Sequence, residues 1–154
     1  MLLPYLLPPT GVQDVERLRS LSPGDRDYME FCLGFCGKIL EKRPHQIEAL
    51  TSVATCLTEL GFYADGLKVD ELLTSLNPKD ATVLYNLACS HALNKNKDAA
   101  IESLDKAIDL GYADHSHMQF DKDLANVRHD PRFLTLVEKA LMLQTDDDVD
   151  EDEG

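Results

Sequence analysis

Cys89 and His91 lie two residues apart in the sequence ATVLYNLACSHAL (81–93), close to Tyr85. A thiol and an imidazole at this spacing could serve as two metal ligands, or as a nucleophile and its general base. If the segment is helical, two residues are separated by about 200° of rotation, so the side chains project from opposite faces. They could not then reach one metal ion or one substrate. We therefore interpret both as packing residues.

Three other sets of residues could bind a metal ion, and each lacks part of what such a site needs. Cys32 and Cys36 offer two thiolates on one helical face, but a structural zinc site needs four ligands and no second pair has a suitable spacing. His115 and His117 form an isolated HxH, which is typical of surface residues or helix caps. The sequence DKD (121–123) begins like a calcium loop but has no central glycine. The sequence also has no phosphate-binding loop and no nucleophile elbow. We predict no metal, no cofactor and no enzymatic activity.

The charge of the chain is strongly negative and is concentrated at one end. Its 154 residues carry a formal net charge of −13. The stretch DDDVDEDEG (146–154) holds seven of the 28 acidic residues, which leaves 21 acidic against 15 basic residues and a net charge of −6 elsewhere. Nucleic acids and anionic membranes both require a basic face, so we predict neither as a partner. The acidic end has little to bury, and we predict a disordered tail over residues 144–154.

The first ten residues, MLLPYLLPPT, are apolar and contain three prolines. They have no basic residue before the apolar run, which is atypical of a signal peptide, and they are too short to span a bilayer. We therefore expect a cytoplasmic protein with reduced cysteines. An apolar stretch of this kind usually marks a contact, so we predict that segment 1–11 is bound rather than free. It could lie in a helical groove, of its own chain or of a second copy, or over the open end of the first helix pair.

Apolar residues recur at spacings of three and four along most of the chain, which predicts helices rather than strands. Gly61 and Gly111 stand where a left-handed residue would end a helix, and Asp80 suits a helix N-cap. The short turns predict that consecutive helices are antiparallel. The predicted helices of this central region are HQIEALTSVATCLTEL (45–60), YADGLKVDELLTSL (63–76), ATVLYNLACSHALN (81–94) and KDAAIESLDKAIDL (97–110).

The same pattern repeats after thirty-four residues, as the spacing of Pro44 and Pro78 first indicates. Residues 47–80 overlay on residues 81–114, with small residues aligned where two helices must approach closely. The aligned pairs include Leu50 with Leu84, Ala54 with Ala88, Gly66 with Ala100 and Leu76 with Leu110. This pattern resembles the tetratricopeptide repeat (TPR), a thirty-four-residue helix–turn–helix unit. Asp70 departs from it, because a large apolar residue is usual at that position.

The resemblance implies an all-α fold: a right-handed solenoid of antiparallel helix pairs, closed by a C-terminal capping helix. Upstream of the two repeats, residues 12–44 resemble a degenerate pair in which Ser22 caps the second helix and Pro23 opens it. Downstream, residues 115–143 resemble the segment that follows the last repeat in many bacterial members of the family. We therefore predict a helical domain over residues 12–143.

The resemblance also implies a function in protein–protein interaction. TPR proteins use a groove, lined by the first helix of each pair, to hold a peptide or helix of a partner protein. Two alternatives stay open: a secretion-type or assembly chaperone, and a structural module that forms a homo-oligomer by filling the groove with another copy. Carried onto this chain, the groove residues are Glu48, Thr51, Thr55 and Thr58 in the first repeat and Thr82, Tyr85, Asn86, Cys89 and Leu93 in the second.

Overall fold

A computed structural model describes the backbone of residues 11–150 and the side chains of residues 11–146. Over this range the chain forms α-helices and one short 3₁₀ helix, with no β-strand, which confirms the predicted all-α class. The residues group into two compact units, of which the first ends at Leu76 and the second begins at Asn77. The helices are α1 (Val15–Ser20), α2 (Pro23–Lys42), α3 (Ile47–Glu59), α4 (Tyr63–Leu76), α5 (Ala81–Leu93), α6 (Lys97–Asp109), α7 (His115–Phe120), the 3₁₀ helix (Lys122–Leu124) and α8 (Pro131–Asp150).

The first unit is built around the antiparallel pair α3 and α4, which corresponds to the first predicted repeat. Gly61 follows α3 in the left-handed conformation, with a φ of 89°, as its place after the apolar run predicts. The amide of Phe62 donates to the carbonyl of Leu57 at 2.8 Å and turns the chain into α4. The helices approach closely at Gly66, where an added Cβ would lie 2.8 Å from Thr58 Oγ1. The predicted close approach at this small residue is confirmed.

Apolar side chains of α2, α3 and α4 form the core of this unit. Full burial of one such aliphatic side chain stabilises the fold by about 1.5–3 kcal/mol. Asp70, where the repeat favours a large apolar residue, is also buried, with 5% of its surface exposed. The most completely buried apolar residues of the unit are Leu40, Leu50, Val53, Leu57 and Val69.

Helix α2 begins as the sequence predicts, whereas α1 is much shorter than a complete helix pair requires. Ser22 Oγ accepts from the amide of Asp25 at 3.1 Å, and Pro23 occupies the first turn. Helix α2 then runs for 20 residues, about 30 Å, whereas α1 has 6 residues, about 9 Å. Instead of covering α2, α1 is held at the α3–α4 turn, where the amide of Asp14 donates to the carbonyl of Gly61 at 2.9 Å.

The second unit begins with the antiparallel pair α5 and α6, which corresponds to the second predicted repeat. Asp80 caps α5 as predicted, because its Oδ1 accepts from two amides of the first turn at 2.9 and 3.1 Å. Gly111 follows α6 with a φ of 104°, again in the left-handed conformation. Ala88 and Ala100 are both completely buried, as expected of small residues at a helix–helix contact.

The chain after the second repeat folds as α7, the 3₁₀ helix and α8. Pro131 begins α8, and Asp130 Oδ1 accepts from the amide of Arg132 at 2.9 Å. Helix α8 packs against α6 and α7 through one apolar face. The buried residues of that face are Phe133, Leu136, Val137 and Ala140.

Helix α8 continues to Asp150, and so enters the stretch 144–154 for which the sequence predicts disorder. Adding a residue to an existing helix is easier than starting one, because each new residue completes a further hydrogen bond. The buried apolar face of α8 anchors the helix before this stretch begins. Residues 1–10 of the predicted apolar segment and residues 151–154 of the predicted tail lie outside the described residues.

Candidate functional site

The predicted groove residues of the first repeat lie along one side of α3. Glu48 and Thr55 are exposed, and Thr51 is half-buried. The hydroxyls of Thr51 and Thr55 each donate to the backbone carbonyl four residues earlier, at 2.8 and 3.0 Å. Each hydroxyl oxygen therefore keeps lone pairs that can accept a hydrogen bond from another molecule. Thr58 differs, because it lies against Gly66 of α4 and belongs to the packing of the helix pair.

The predicted groove residues of the second repeat fall into two groups on α5. Thr82 is exposed, and Asn86 and Leu93 are half-buried, so all three remain accessible. Tyr85 and Cys89 are buried, with 4% and 8% of their surfaces exposed. This burial differs from the open groove that the sequence predicts at these two residues, because the chain's own segment after α7 covers them. The groove as a whole stays a prediction.

One carboxylate organises the covered region, which we call the Asp121 cluster (Tyr85, Cys89, Tyr112, His117 and Asp121). The hydroxyl of Tyr85 donates to Asp121 Oδ2 at 2.8 Å, and Cys89 Sγ lies 3.7 Å from the same oxygen. His117 Nε2 approaches this oxygen to 3.2 Å. The ring of Tyr85 stacks on that of Tyr112, with centroids 4.2 Å apart and planes 8° from parallel. Asp121 therefore binds polar groups of both α5 and α7.

Further hydrogen bonds fix the backbone around Asp121. Arg128 Nη2 donates to the carbonyl of Asp121 at 2.7 Å, and Asp121 Oδ1 accepts from the amide of Asp123 at 3.0 Å. Asn126 Nδ2 donates to the carbonyl of Ala92 at 2.8 Å, near the end of α5. The segment is thus bound to α5 at two places, and its position over Tyr85 and Cys89 is well defined.

Burial controls ionisation in the Asp121 cluster. It raises the pKa of the Cys89 thiol well above its ordinary value, and the nearby Asp121 carboxylate raises it further. Burial also raises the pKa of the Tyr85 hydroxyl far above its usual range, and it raises the pKa of Tyr112 to about 12. Cys89 is therefore a neutral thiol near pH 7. Nucleophilic attack and metal binding both require a thiolate, so the arrangement is suited to packing and hydrogen bonding.

His91 does not belong to the Asp121 cluster. It is half-buried, and its Nδ1 lies 3.5 Å from Asn96 Nδ2, after the end of α5. Cys89 instead contacts Asp121. The two side chains have different partners, as their separation on a helix predicts.

The other candidate ligands form no metal site within residues 11–146, where no group of three or more His, Cys, Asp or Glu side chains is placed to hold an ion. All four cysteines are free thiols. Cys36 and Cys56 are buried, and burial raises the pKa of Cys56 to about 11.

No helix in the described part of the chain combines the length and the apolar character needed to cross a bilayer.

A charged cleft of about 570 Å³ lies between α6 and α8. Arg132 Nη2 lies 2.9 Å from a carboxylate oxygen of Asp98. Lys139 Nζ lies 2.6 Å from carboxylate oxygens of both Asp105 and Asp109. Because both cations of the cleft are paired with carboxylates of α6, we interpret it as a contact that holds α8 in place rather than as a ligand site.

Sequence reasoning missed one surface, the aromatic face of α2 (Tyr28, Phe31 and Phe35). These side chains are 63%, 67% and 56% exposed. The rings of Phe31 and Phe35 stack, with centroids 6.0 Å apart and planes 15° from parallel. Their spacing of three and four residues could have identified the face, but the same spacing is also expected of a buried stripe.

The chain resembles two solved structures in fold. The MamA RS-1 ArsTM double mutant has 25% sequence identity and a TM-score of 0.62, over 80% of this chain and 69% of that chain. A crystal structure of MamA has 20% identity and a TM-score of 0.58, over 81% of this chain and 76% of that chain. No protein-family model matches the chain, and no curated protein matches it by sequence. The structural likeness supports a TPR-like helical fold.

Proposed function

We infer that this protein is a protein–protein interaction module of the TPR type, which holds a peptide or helix of a partner against α3. The observation that carries this inference is the polar surface of α3, where Glu48, Thr51 and Thr55 share one side and remain at least partly exposed. The TPR-like fold supports the same function, because stacked helix pairs present extended surfaces for binding.

The chemistry of these residues favours a neutral or basic partner segment. Glu48 can only accept hydrogen bonds, and the hydroxyls of Thr51 and Thr55 already donate to their own helix. The surface therefore offers acceptors to backbone N–H groups or to Lys and Arg side chains. An acidic segment would meet a chain whose formal net charge is −13, so its association would be slowed and weakened.

On α5 the proposed surface is smaller than the repeat pattern suggests. The segment after α7 covers Tyr85 and Cys89, whereas Thr82, Asn86 and Leu93 remain accessible. Asn86 offers both a donor and an acceptor, and Leu93 offers apolar area. We therefore assign the contacts of the partner to α3, and a contact of these three α5 residues with a partner stays a prediction.

Capture of a partner from the native lysate, followed by mass spectrometry, tests this function. We would compare the wild-type chain with Glu48→Lys/Thr55→Lys, which raises the net charge of α3 by three. The matched control is Glu71→Lys/Ser75→Lys, which adds the same charge at two exposed positions of α4. Wild type and control should retain the partner and the α3 variant should lose it. With purified partner, the Kd of the α3 variant should be at least about tenfold weaker, a loss of about 1.4 kcal/mol.

Equal capture by all three proteins would overturn the assignment to α3. Light scattering of the purified chain separates the self-associating alternative. A stable homo-oligomer that the α3 variant dissociates, with no other protein captured, would show that the surface binds a second copy.

A further inference from the structure

The aromatic face of α2 is an exposed apolar surface on an otherwise ordinary amphipathic helix. Cys36 and Leu40 are buried on the side of the helix that faces the core. Tyr28, Phe31 and Phe35 are exposed, and none of the described residues covers them. Three adjacent aromatic rings form the kind of contiguous apolar patch that usually marks a contact.

The face is open because the first helix pair lacks most of its first helix. Helix α1 is about 9 Å long and cannot cover the roughly 30 Å of α2. Helix α1 also binds to other helices. Arg17 forms an ion pair of 2.8 Å with Glu59 of α3, and the hydroxyl of Tyr63 in α4 donates to Asp14 Oδ2 at 2.7 Å. These contacts hold α1 at the end of α3 and the start of α4, so α1 leaves the aromatic face of α2 uncovered.

The chain that precedes α1 starts close to this face. The amide of Gly11 donates to Asp65 Oδ2 at 3.1 Å, which places Gly11 at the start of α4. Arg26 Nη2 reaches the carbonyl of Leu18 at 3.5 Å, so α1 ends beside the first turns of α2. Residues 1–10 therefore leave from the same end of the unit at which the aromatic face begins.

Ten residues are long enough to reach and follow the face. An extended chain of this length spans about 33 Å. Tyr28 and Phe35 are about 11 Å apart along the helix axis. Attachment to the same chain also raises the effective concentration of the segment to about the millimolar range, so a weak apolar contact is sufficient.

The composition of the segment matches the face. MLLPYLLPPT contains four leucines and a tyrosine but no charged side chain, so burying it against aromatic rings desolvates no side-chain charge. Its three prolines exclude a regular helix and favour an extended chain. We propose that residues 1–10 pack in an extended conformation on the aromatic face of α2, in place of the missing part of the first helix.

The test uses a tryptophan reporter, because the chain has no tryptophan of its own. Tyr5→Trp in the full-length chain places the only indole in the segment. The emission and acrylamide quenching of this variant are compared with those of a free peptide of residues 1–10 that carries the same substitution. A second protein adds Phe31→Gln/Phe35→Gln. A matched control instead adds Phe120→Gln/Leu134→Gln, which removes two exposed apolar side chains far along the chain. Far-UV circular dichroism checks that each protein is folded.

In the full-length reporter we expect a blue-shifted emission and a severalfold lower quenching constant than in the peptide, both independent of protein concentration. Phe31→Gln/Phe35→Gln should return both values to those of the peptide, and Phe120→Gln/Leu134→Gln should leave them unchanged. Peptide-like quenching in the full-length reporter would overturn the proposal. So would protection that survives the loss of Phe31 and Phe35, since the segment would then be bound elsewhere. Protection that disappears on dilution would assign the face to a second copy of the chain and would equally overturn it.

Discussion

The hydroxyl of Tyr85 lies 2.8 Å from Asp121 Oδ2, although 36 positions separate the two residues in sequence. This contact joins α5 to the segment that follows α7 and hides a residue that the repeat pattern assigns to the binding groove. Asp121 Oδ2 also contacts Cys89 and His117, so one carboxylate links side chains of α5 and α7. The Asp121 cluster therefore binds the segment after α7 to α5, the first helix of the last repeat.

Removal of the Tyr85 hydroxyl should destabilise the protein. Tyr85→Phe keeps the stacked ring but leaves Asp121 without its closest donor, which should lower the free energy of unfolding by about 1–3 kcal/mol. Urea denaturation followed by circular dichroism measures this change. Tyr28→Phe, at a tyrosine that is 63% exposed, serves as the control and should change the free energy by less than about 0.5 kcal/mol. Equal effects of the two substitutions would remove the structural role given to Asp121.

The buried thiol of Cys89 should make the protein less stable in alkaline solution. Burial raises the pKa of Cys89 in the folded state. In the unfolded chain the pKa of this thiol should be about 8.5. Below about pH 8.5 both states hold the proton and the contribution of Cys89 is fully present. Above it only the unfolded state releases the proton, so the free energy of unfolding falls by up to about 1.4 kcal/mol per pH unit.

Comparison of the wild-type chain with Cys89→Ala isolates this effect. Urea midpoints measured between about pH 8 and pH 10 should fall for both proteins, because the pKa of Cys56 is also raised in the folded state. The decline should be shallower for Cys89→Ala. Parallel curves for the two proteins would mean that Cys89 ionises as readily in the folded state as in the unfolded state.

The helices could be predicted because their signals are local. Ser22 and Asp80 cap helices through amides two or three residues away, and Gly61 ends one through its own backbone conformation. The burial of Tyr85 could not be predicted in this way. It depends on where residues 121–128 fold back, and no spacing within α5 contains that information.

The aromatic face of α2 shows a second limit of the sequence pattern. Phe31 and Phe35 have the spacing of core residues, yet they are exposed because α1 ends after 6 residues. Whether an apolar stripe is buried depends on the length and position of the neighbouring helix. Periodicity identifies such a stripe but does not show which element covers it.

The acidic end of α8 should contribute little to stability. Gln144, Thr145 and Asp146 are exposed, so the apolar face of α8 that packs on the fold ends before residue 146. Deletion of residues 146–154 should change the free energy of unfolding by less than about 0.5 kcal/mol. At low salt the shortened chain should be slightly more stable than the wild type, because the deletion removes seven negative charges. High salt screens this repulsion, so the difference between the two proteins should then become smaller. A clear loss of cooperativity in thermal unfolding would show that the acidic end binds the folded domain.

The close approach of α3 and α4 at Gly66 predicts a substitution whose effect depends on its neighbour. Alanine is favoured over glycine inside a helix by about 1 kcal/mol. At position 66, however, the new Cβ would lie 2.8 Å from Thr58 Oγ1. Gly66→Ala should therefore lower the free energy of unfolding by about 1 kcal/mol or more, because the helices must move apart.

Removal of the clashing oxygen should reverse that effect. In a Thr58→Ala background the nearest remaining atom is the carbonyl oxygen of Ala54, at 3.6 Å, which is an ordinary contact. Denaturation of the wild type, both single variants and the double variant should give a favourable coupling of about 0.5–3 kcal/mol. Gly34→Ala in α2 is the control, since no atom lies within 4 Å of its added Cβ and the substitution should stabilise by about 0.5–1 kcal/mol. If Gly66→Ala stabilised the chain as much as Gly34→Ala, the two helices of the first repeat would have to lie farther apart than described.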